Sequence, residues 1–234
     1  MRSIIVAVAL GVIVVLTYLL VGVVTRTHET NFQMGLNAYR AGRFDKAIEF
    51  VTKHIENDYR SNAPTLDYAY MFRAQIENVI GKYEAAIEDG RKALEHNPYS
   101  IYSRIETATA YAGLKRWDAA FTELDLAQRR IEKSDREDPS IFLKRGEIYE
   151  KMGDMKSAED AYTTAIKIDP MSVVSWMTRG HYYTRLKSFE NAVEDYSEAI
   201  RLAPDNRPIY NSRAAAYMQL GKIGEAAKDQ EFAR

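Results

Sequence analysis

The chain has 234 residues, 46% of them hydrophobic and 28% charged, a globular composition that excludes a disordered or collagen-like polypeptide. Its 32 Lys and Arg against 33 Asp and Glu leave a formal charge of -1, so there is no overall basic excess to attract a nucleic acid, and none is expected as a partner. The absence of cysteine excludes a disulfide framework, a thiol nucleophile and a thiolate zinc site, and it fits an oxidising compartment as well as a reducing one.

The chain opens with IIVAVALGVIVVLTYLLVGVV, 21 uncharged residues from Ile4 to Val24. As a helix rising about 1.5 Å per residue, this run matches a hydrocarbon core of about 30 Å. A cleaved signal has a shorter apolar stretch of roughly 7 to 15 residues followed by a small-x-small site, whereas this one runs on through Val23, Val24, Thr25 and Arg26. Residues 1–27 are therefore expected to be an N-terminal membrane anchor, with one transmembrane helix at about 4–24. Arg2 flanks one end and Arg26 the other, so charge says little about orientation. Because long domains cross largely regardless of charge, the remainder is expected on the extracytoplasmic side, facing a bacterial periplasm, with a cytoplasmic-facing domain as the alternative.

After the anchor the chain repeats itself. Trp176, Gly180, Tyr183, Ala192, Tyr196, Ala199 and Pro204 are each preceded, 34 residues earlier, by Phe142, Gly146, Tyr149, Ala158, Tyr162, Ala165 and Pro170. Gly153 departs from this, with Lys187 as its counterpart. The pattern resembles the tetratricopeptide repeat (TPR) family, in which 34-residue helical hairpins stack into a superhelical solenoid. The resemblance runs from His28 to Arg234 and implies an all-α fold of about six helix-turn-helix repeats: 28–61, 67–100, 101–134, 139–172, 173–206 and a shortened 207–234. Insertions at 62–66 and 135–138 fall between repeats and are expected to alter local stacking without dividing the array into domains.

Packing explains the composition of each unit. Gly35, Ala74, Ala108, Gly146, Gly180 and Ala214 share one place on the first helices, and Ala47, Ala86, Ala120, Ala158, Ala192 and Ala226 share one on the second. Small residues there let the backbones approach. The first repeat departs with His54 where later units carry Ala93, Ala127, Ala165 and Ala199. In the second, Gly90 stands where Tyr162 and Tyr196 stand and leaves space for a neighbouring side chain to fill. The last helix has Gln230 at that place, giving the polar face a terminal repeat needs, and the domain without its anchor is expected to be monomeric.

Catalytic chemistry is not expected. His28, His54, His96 and His181 lie at no metal-ligand spacing, and no Gly-rich loop follows a strand pattern. His96, before Asn97 and Pro98, reads as a helix C-terminal residue. Acid pairs such as Glu147 with Glu150 read as solvated helix faces. No enzyme, cofactor or metal is inferred.

The resemblance implies a concave groove lined by first helices. Mapped onto this chain, its first half is apolar and aromatic, with Phe32, Leu36, Tyr39, Tyr68, Met71, Tyr102 and Ile105. Its second half is polar, with Glu147, His181, Arg185 and Asn211. The aromatic stripe admits two readings, core packing or a partner groove. Family members that clamp the acidic carboxyl-terminal tail of chaperones use Lys, Asn and Arg at set places. Those places hold Phe32, Leu36, Phe72, Tyr102 and Glu106 in the first three repeats and Leu143, Glu147, Thr178, Pro208 and Ser212 in the last three, so no carboxylate clamp is expected. The resulting expectation is a single-pass membrane adaptor or scaffold that binds a protein or peptide in its groove, for complex assembly. The alternatives are an envelope chaperone or assembly factor for extended clients, or a structural subunit of a membrane complex.

Overall fold

The computed structural model describes residues 31–58, 66–131 and 137–233. The expected membrane span at 4–24 lies outside these residues, and among them no helix is long and apolar enough to cross a membrane. The described residues are all-α, with twelve helices and no strand. They belong to two compact units, one ending at Lys115 and the other beginning at Arg116. The division falls inside the third repeat, between its two helices, and not at either insertion.

The first unit contains α1 (31–40), α2 (Phe44–Asp58), α3 (Leu66–Val79), α4 (Tyr83–His96) and α5 (Ile101–Gly113). The second contains α6 (Trp117–Ile131), α7 (Pro139–Met152), α8 (Met155–Ile168), α9 (Val173–Arg185), α10 (Phe189–Leu202), α11 (Arg207–Gln219) and α12 (Ile223–Phe232). The helix starts are written locally: Ser100, Asp138, Asp154 and Ser172 each accept a hydrogen bond from a backbone N–H of the first turn, which satisfies a donor the helix leaves unpaired. Turns within the hairpins use one left-handed residue, Gly42, Gly81, Gly153 or Gly221, and at the same register Lys115 (φ 58°) and Lys187 (φ 59°). The following N–H reaches back five residues, as in Asp154 to Tyr149 O at 2.9 Å and Ser188 to Tyr183 O at 2.9 Å, closing the helix end.

Size matching fixes how each hairpin closes. A Cβ on Gly146 would lie 2.4 Å from the Tyr162 ring, and one on Gly180 would lie 2.7 Å from the Tyr196 ring. The glycine on one helix thus admits the tyrosine on the other, while the alanines Ala47, Ala86, Ala120, Ala158 and Ala192 are wholly buried. The space at Gly90 is taken by Thr107, whose Oγ1 lies 2.1 Å from where a Cβ would sit and donates to Ser103 O at 2.8 Å.

A second recurring device is electrostatic. Arg73, Arg179 and Arg213 each bind, through both Nε and NH2, the Asp sixteen residues later: Asp89, Asp195 and Asp229. Each NH1 donates to a hydroxyl of the preceding repeat, Thr52, Thr163 or Ser197, at 2.8, 3.0 and 2.9 Å. One guanidinium therefore ties three helices together, and the Asp side chains are almost fully buried. Such a pair holds only while both members remain, since removing one strands a buried charge. In the fourth repeat position 161 is Ala, and Arg145 turns instead to Asp125 and Gln128 of α6.

Candidate functional site

The apolar first-helix residues of the first unit are mostly packing. Phe32, Leu36, Tyr39 and Met71 are half-buried against a core that includes Ala38, Val51, Phe72 and Ile76. The Phe32 ring sits 5.2 Å from His54, 5.5 Å from Tyr68 and 5.6 Å from Phe72, and Tyr39 sits 5.5 Å from Phe72. His54, the first repeat's departure from alanine, is thus part of an aromatic cluster. Ile105 is 6% exposed and offers no surface. Tyr68 and Tyr102, at equivalent places on α3 and α5, remain 51% and 58% exposed.

The polar residues of the second unit converge. Glu147, Glu150 and Lys151 from α7 and Thr178, His181 and Arg185 from α9 line a recess of about 440 Å³. The spacing causes this: residues three and four apart share a helix face, and α7 and α9, the first helices of adjacent repeats, pack side by side. Arg185 is held in place by Glu150, donating from Nε at 2.8 Å and from NH2 at 2.6 Å. Glu150 also accepts from the buried Tyr162 hydroxyl, so the tyrosine that fills Gly146 also orients the recess. Glu147 is paired with Lys144. Asn211 is exposed on α11 and is not among the residues lining the recess, although its neighbour Ser212 places Oγ 3.5 Å from His181 Nε2.

Electrostatics follow from burial. His181 is held below the ordinary histidine range, first by loss of water and then by the Arg185 charge, and so stays neutral near pH 7 with one ring nitrogen donating and the other accepting. Burial and the bond to Glu150 push the Tyr162 hydroxyl well above the usual phenol range. The recess offers fixed donors and acceptors of both kinds. The Ser212–His181 approach, at 3.5 Å, is long for a hydrogen bond. Among the described residues no cluster could hold a metal ion. Helical spacing aligns Glu147 with Lys151 on α7 and Thr178 with His181 and Arg185 on α9; only the packing of α7 beside α9 brings the two sets together.

Comparisons with known proteins agree with the repeats. Tetratricopeptide repeat models match residues 32–101 and 139–170, and a TPR repeat model matches 180–221. The TPR repeat-containing thioredoxin TDX of Arabidopsis thaliana is 33% identical over 94 residues, 40% of this chain and 23% of that protein. The Hsp70/Hsp90 co-chaperone CNS1 of Saccharomyces cerevisiae is 29% identical over 131 residues, 56% of this chain and 33% of that protein. The chain thus spans well under two thirds of these relatives. The crystal structure of TTC0263, a thermophilic TPR protein of Thermus thermophilus, superposes with a TM-score of 0.62 at 19% identity, covering 82% of this chain and 99% of that one. With three repeat models together matching more than half of its residues, the chain belongs to the tetratricopeptide repeat family.

Proposed function

We propose that this chain is a non-catalytic adaptor, held in a membrane by residues 4–24 with its repeats on the extracytoplasmic side, that binds a protein or peptide segment on the first-helix face of its repeats. The observation that carries this reading is the recess between α7 and α9, where Arg185 is pre-positioned by Glu150 and His181 is kept neutral. Polar groups fixed before the ligand arrives lose little entropy on binding and reject partners that leave them unpaired. CNS1 is by name a co-chaperone of Hsp70 and Hsp90. The present chain lacks the basic set that grips an acidic tail, so its partner engages through the mixed donors and acceptors of the recess; Tyr68 and Tyr102 are exposed aromatic residues that offer a separate contact on the first unit.

The test is affinity capture of the full chain in mild detergent with identification of bound proteins. Glu147→Gln with Arg185→Gln should deplete the specific partners. Tyr68→Ala with Tyr102→Ala should deplete them less, because much of the aromatic stripe is committed to the core. Recovery of the same proteins in the same amounts by all variants would remove the groove from the reading.

A further inference from the structure

Helices of the second unit pack in chain order, α7 on α8, α8 on α9, α9 on α10, α10 on α11 and α11 on α12. Its connections therefore alternate between two edges. One edge holds the turns within hairpins, 153–154, 186–188 and 220–222; the other holds those between hairpins, 169–172 and 203–206. The between-hairpin turns contain Asp169 and Asp205, with Lys167, Arg201 and Arg207 beside them, Arg201 being paired with Glu198, and Met171 and Val174 are exposed on this edge too.

The within-hairpin edge differs in carrying more unpaired positive charge. In and beside its turns stand Lys151, Lys156, Lys187 and Lys222, all exposed and without an ion pair among the described residues. Alternating with them are Met152, Met155, Leu186 and Ile223, apolar side chains that face solvent. The nearby acids are engaged or offset. Glu150 is bound by Arg185 and Tyr162, Asp154 accepts from Ser157 N–H, and Glu190 and Glu225 sit in the first turns of α10 and α12, where the helix dipole offsets their charge.

Lys187 occupies the left-handed turn position that Gly153 and Gly221 hold in the neighbouring hairpins, a conformation costly for a residue with a Cβ. The turn is closed by backbone bonds from Lys187 N–H to Thr184 O at 3.0 Å and from Ser188 N–H to Tyr183 O at 2.9 Å, while among the described residues its ammonium makes no ion pair. Lys187 is exposed at the tip of the turn beside the exposed Leu186.

We infer that this edge docks on the anionic headgroups of a lipid bilayer, with the lysines at the phosphates and the four apolar tips in the interface beneath them. Lysines draw the edge toward negative lipid, and apolar side chains between them are what an interface, and not an acidic solute, rewards. The inference relies on the anchored reading only for the nearness of a bilayer. It adds an orientation: the between-hairpin edge points away from the membrane.

Because the chain has no cysteine, Leu186→Cys, Ile223→Cys and Met171→Cys variants of the full chain each carry a single fluorophore. They are reconstituted in phosphatidylcholine liposomes, with or without phosphatidylglycerol, containing nitroxide-labelled lipid as a depth quencher. Labels at 186 and 223 should be quenched when phosphatidylglycerol is present, and the label at 171, on the opposite edge, should not. Changing Lys151, Lys156, Lys187 and Lys222 to Gln, with circular dichroism unchanged, should abolish the quenching, each lysine contributing about five-fold to the docked-to-undocked ratio. Ile223→Asp, which leaves the lysines intact, should weaken it as well. Equal quenching of all three labels, none at 186 and 223, or indifference to the lysines overturns the inference. So does polyglutamate protecting the lysines from acylation while no label meets lipid, which would assign the edge to an acidic protein. Failure of the anchor reads out separately, as a chain that does not float with phosphatidylcholine liposomes yet still docks on those containing phosphatidylglycerol.

Discussion

Glu77→Gln should stabilise the first unit above neutral pH and remove most of its loss of stability between pH 4.5 and 7. Glu77 is 8% exposed, its Oε2 has no hydrogen-bond partner, and it lies four residues after Arg73. At the same register stand Tyr111, Tyr149, Tyr183 and Tyr217, and two of these lie over the matching arginine, Tyr183 at 5.7 Å from Arg179 and Tyr217 at 5.6 Å from Arg213. The second repeat puts a carboxylate where an aromatic ring belongs, and Arg73 is already committed to Asp89 and Thr52. Burial, reinforced by the Asp89 charge and only partly opposed by Arg73, Lys82 and Lys92, pushes Glu77 from its ordinary 4.5 up to about 7. The folded state therefore binds this proton more tightly than the unfolded state. The stabilisation is fully present below pH 4.5 and is lost as pH rises through 7, by at most about 3 kcal/mol at 1.36 kcal/mol per pKa unit. Both tryptophans, Trp117 and Trp176, belong to the second unit, so fluorescence would miss the effect. Hydrogen exchange of α3 and α4 peptides at pH 5 and pH 8, corrected for intrinsic rates, measures it directly. Wild-type protection that does not fall with pH relative to Glu77→Gln would show that Glu77 does not bind its proton more tightly in the folded state.

Other outcomes follow from single contacts. Gly90→Ala should cost about 1 to 3 kcal/mol by overpacking against Thr107, and Thr107→Ala in the same chain should recover much of it, as a double-mutant cycle in thermal unfolding will read. Asp195→Asn should cost about 3 to 5 kcal/mol because Arg179 is left buried and uncompensated, whereas Glu49→Gln, which breaks the exposed pair with Lys53, should leave the midpoint nearly unchanged; denaturant unfolding distinguishes the two. Lys187→Gly should stabilise the second unit by about 1 kcal/mol by relieving the left-handed backbone, measured as a shift in the unfolding midpoint at unchanged slope.

The repeat register was legible because each hairpin solves the same local problem. Gly146 facing Tyr162 and Gly180 facing Tyr196 can be read from spacing alone, since a 34-residue period and a helical pitch leave those side chains one place to go. Gly90 shows the limit of that reading. The vacancy is visible in the sequence, but its occupant, Thr107, comes from the next repeat and appears only when α4 packs on α5. The Arg–Asp ties are not legible in the sequence for a different reason: sixteen-residue spacing carries no helical periodicity, and the third partner, Thr52, Thr163 or Ser197, lies a repeat away.

What the sequence determined by itself is the architecture of each unit, because small and aromatic residues at fixed spacing leave a helical hairpin one way to close. It also placed His181 with Arg185 on one face of α9 and Glu147 with Glu150 on one face of α7, since helical pitch aligns residues three and four apart; bringing the two faces together needed the packing of α7 beside α9. Tertiary structure alone decided how the candidate surface divides. Phe32, Leu36, Tyr39, Met71 and Ile105 share a periodicity with Tyr68 and Tyr102, yet the former pack on the core while the two tyrosines face solvent. Periodicity reports which side of a helix a residue takes; whether that side is covered depends on which neighbouring helix arrives there, and that information lies in distant parts of the chain.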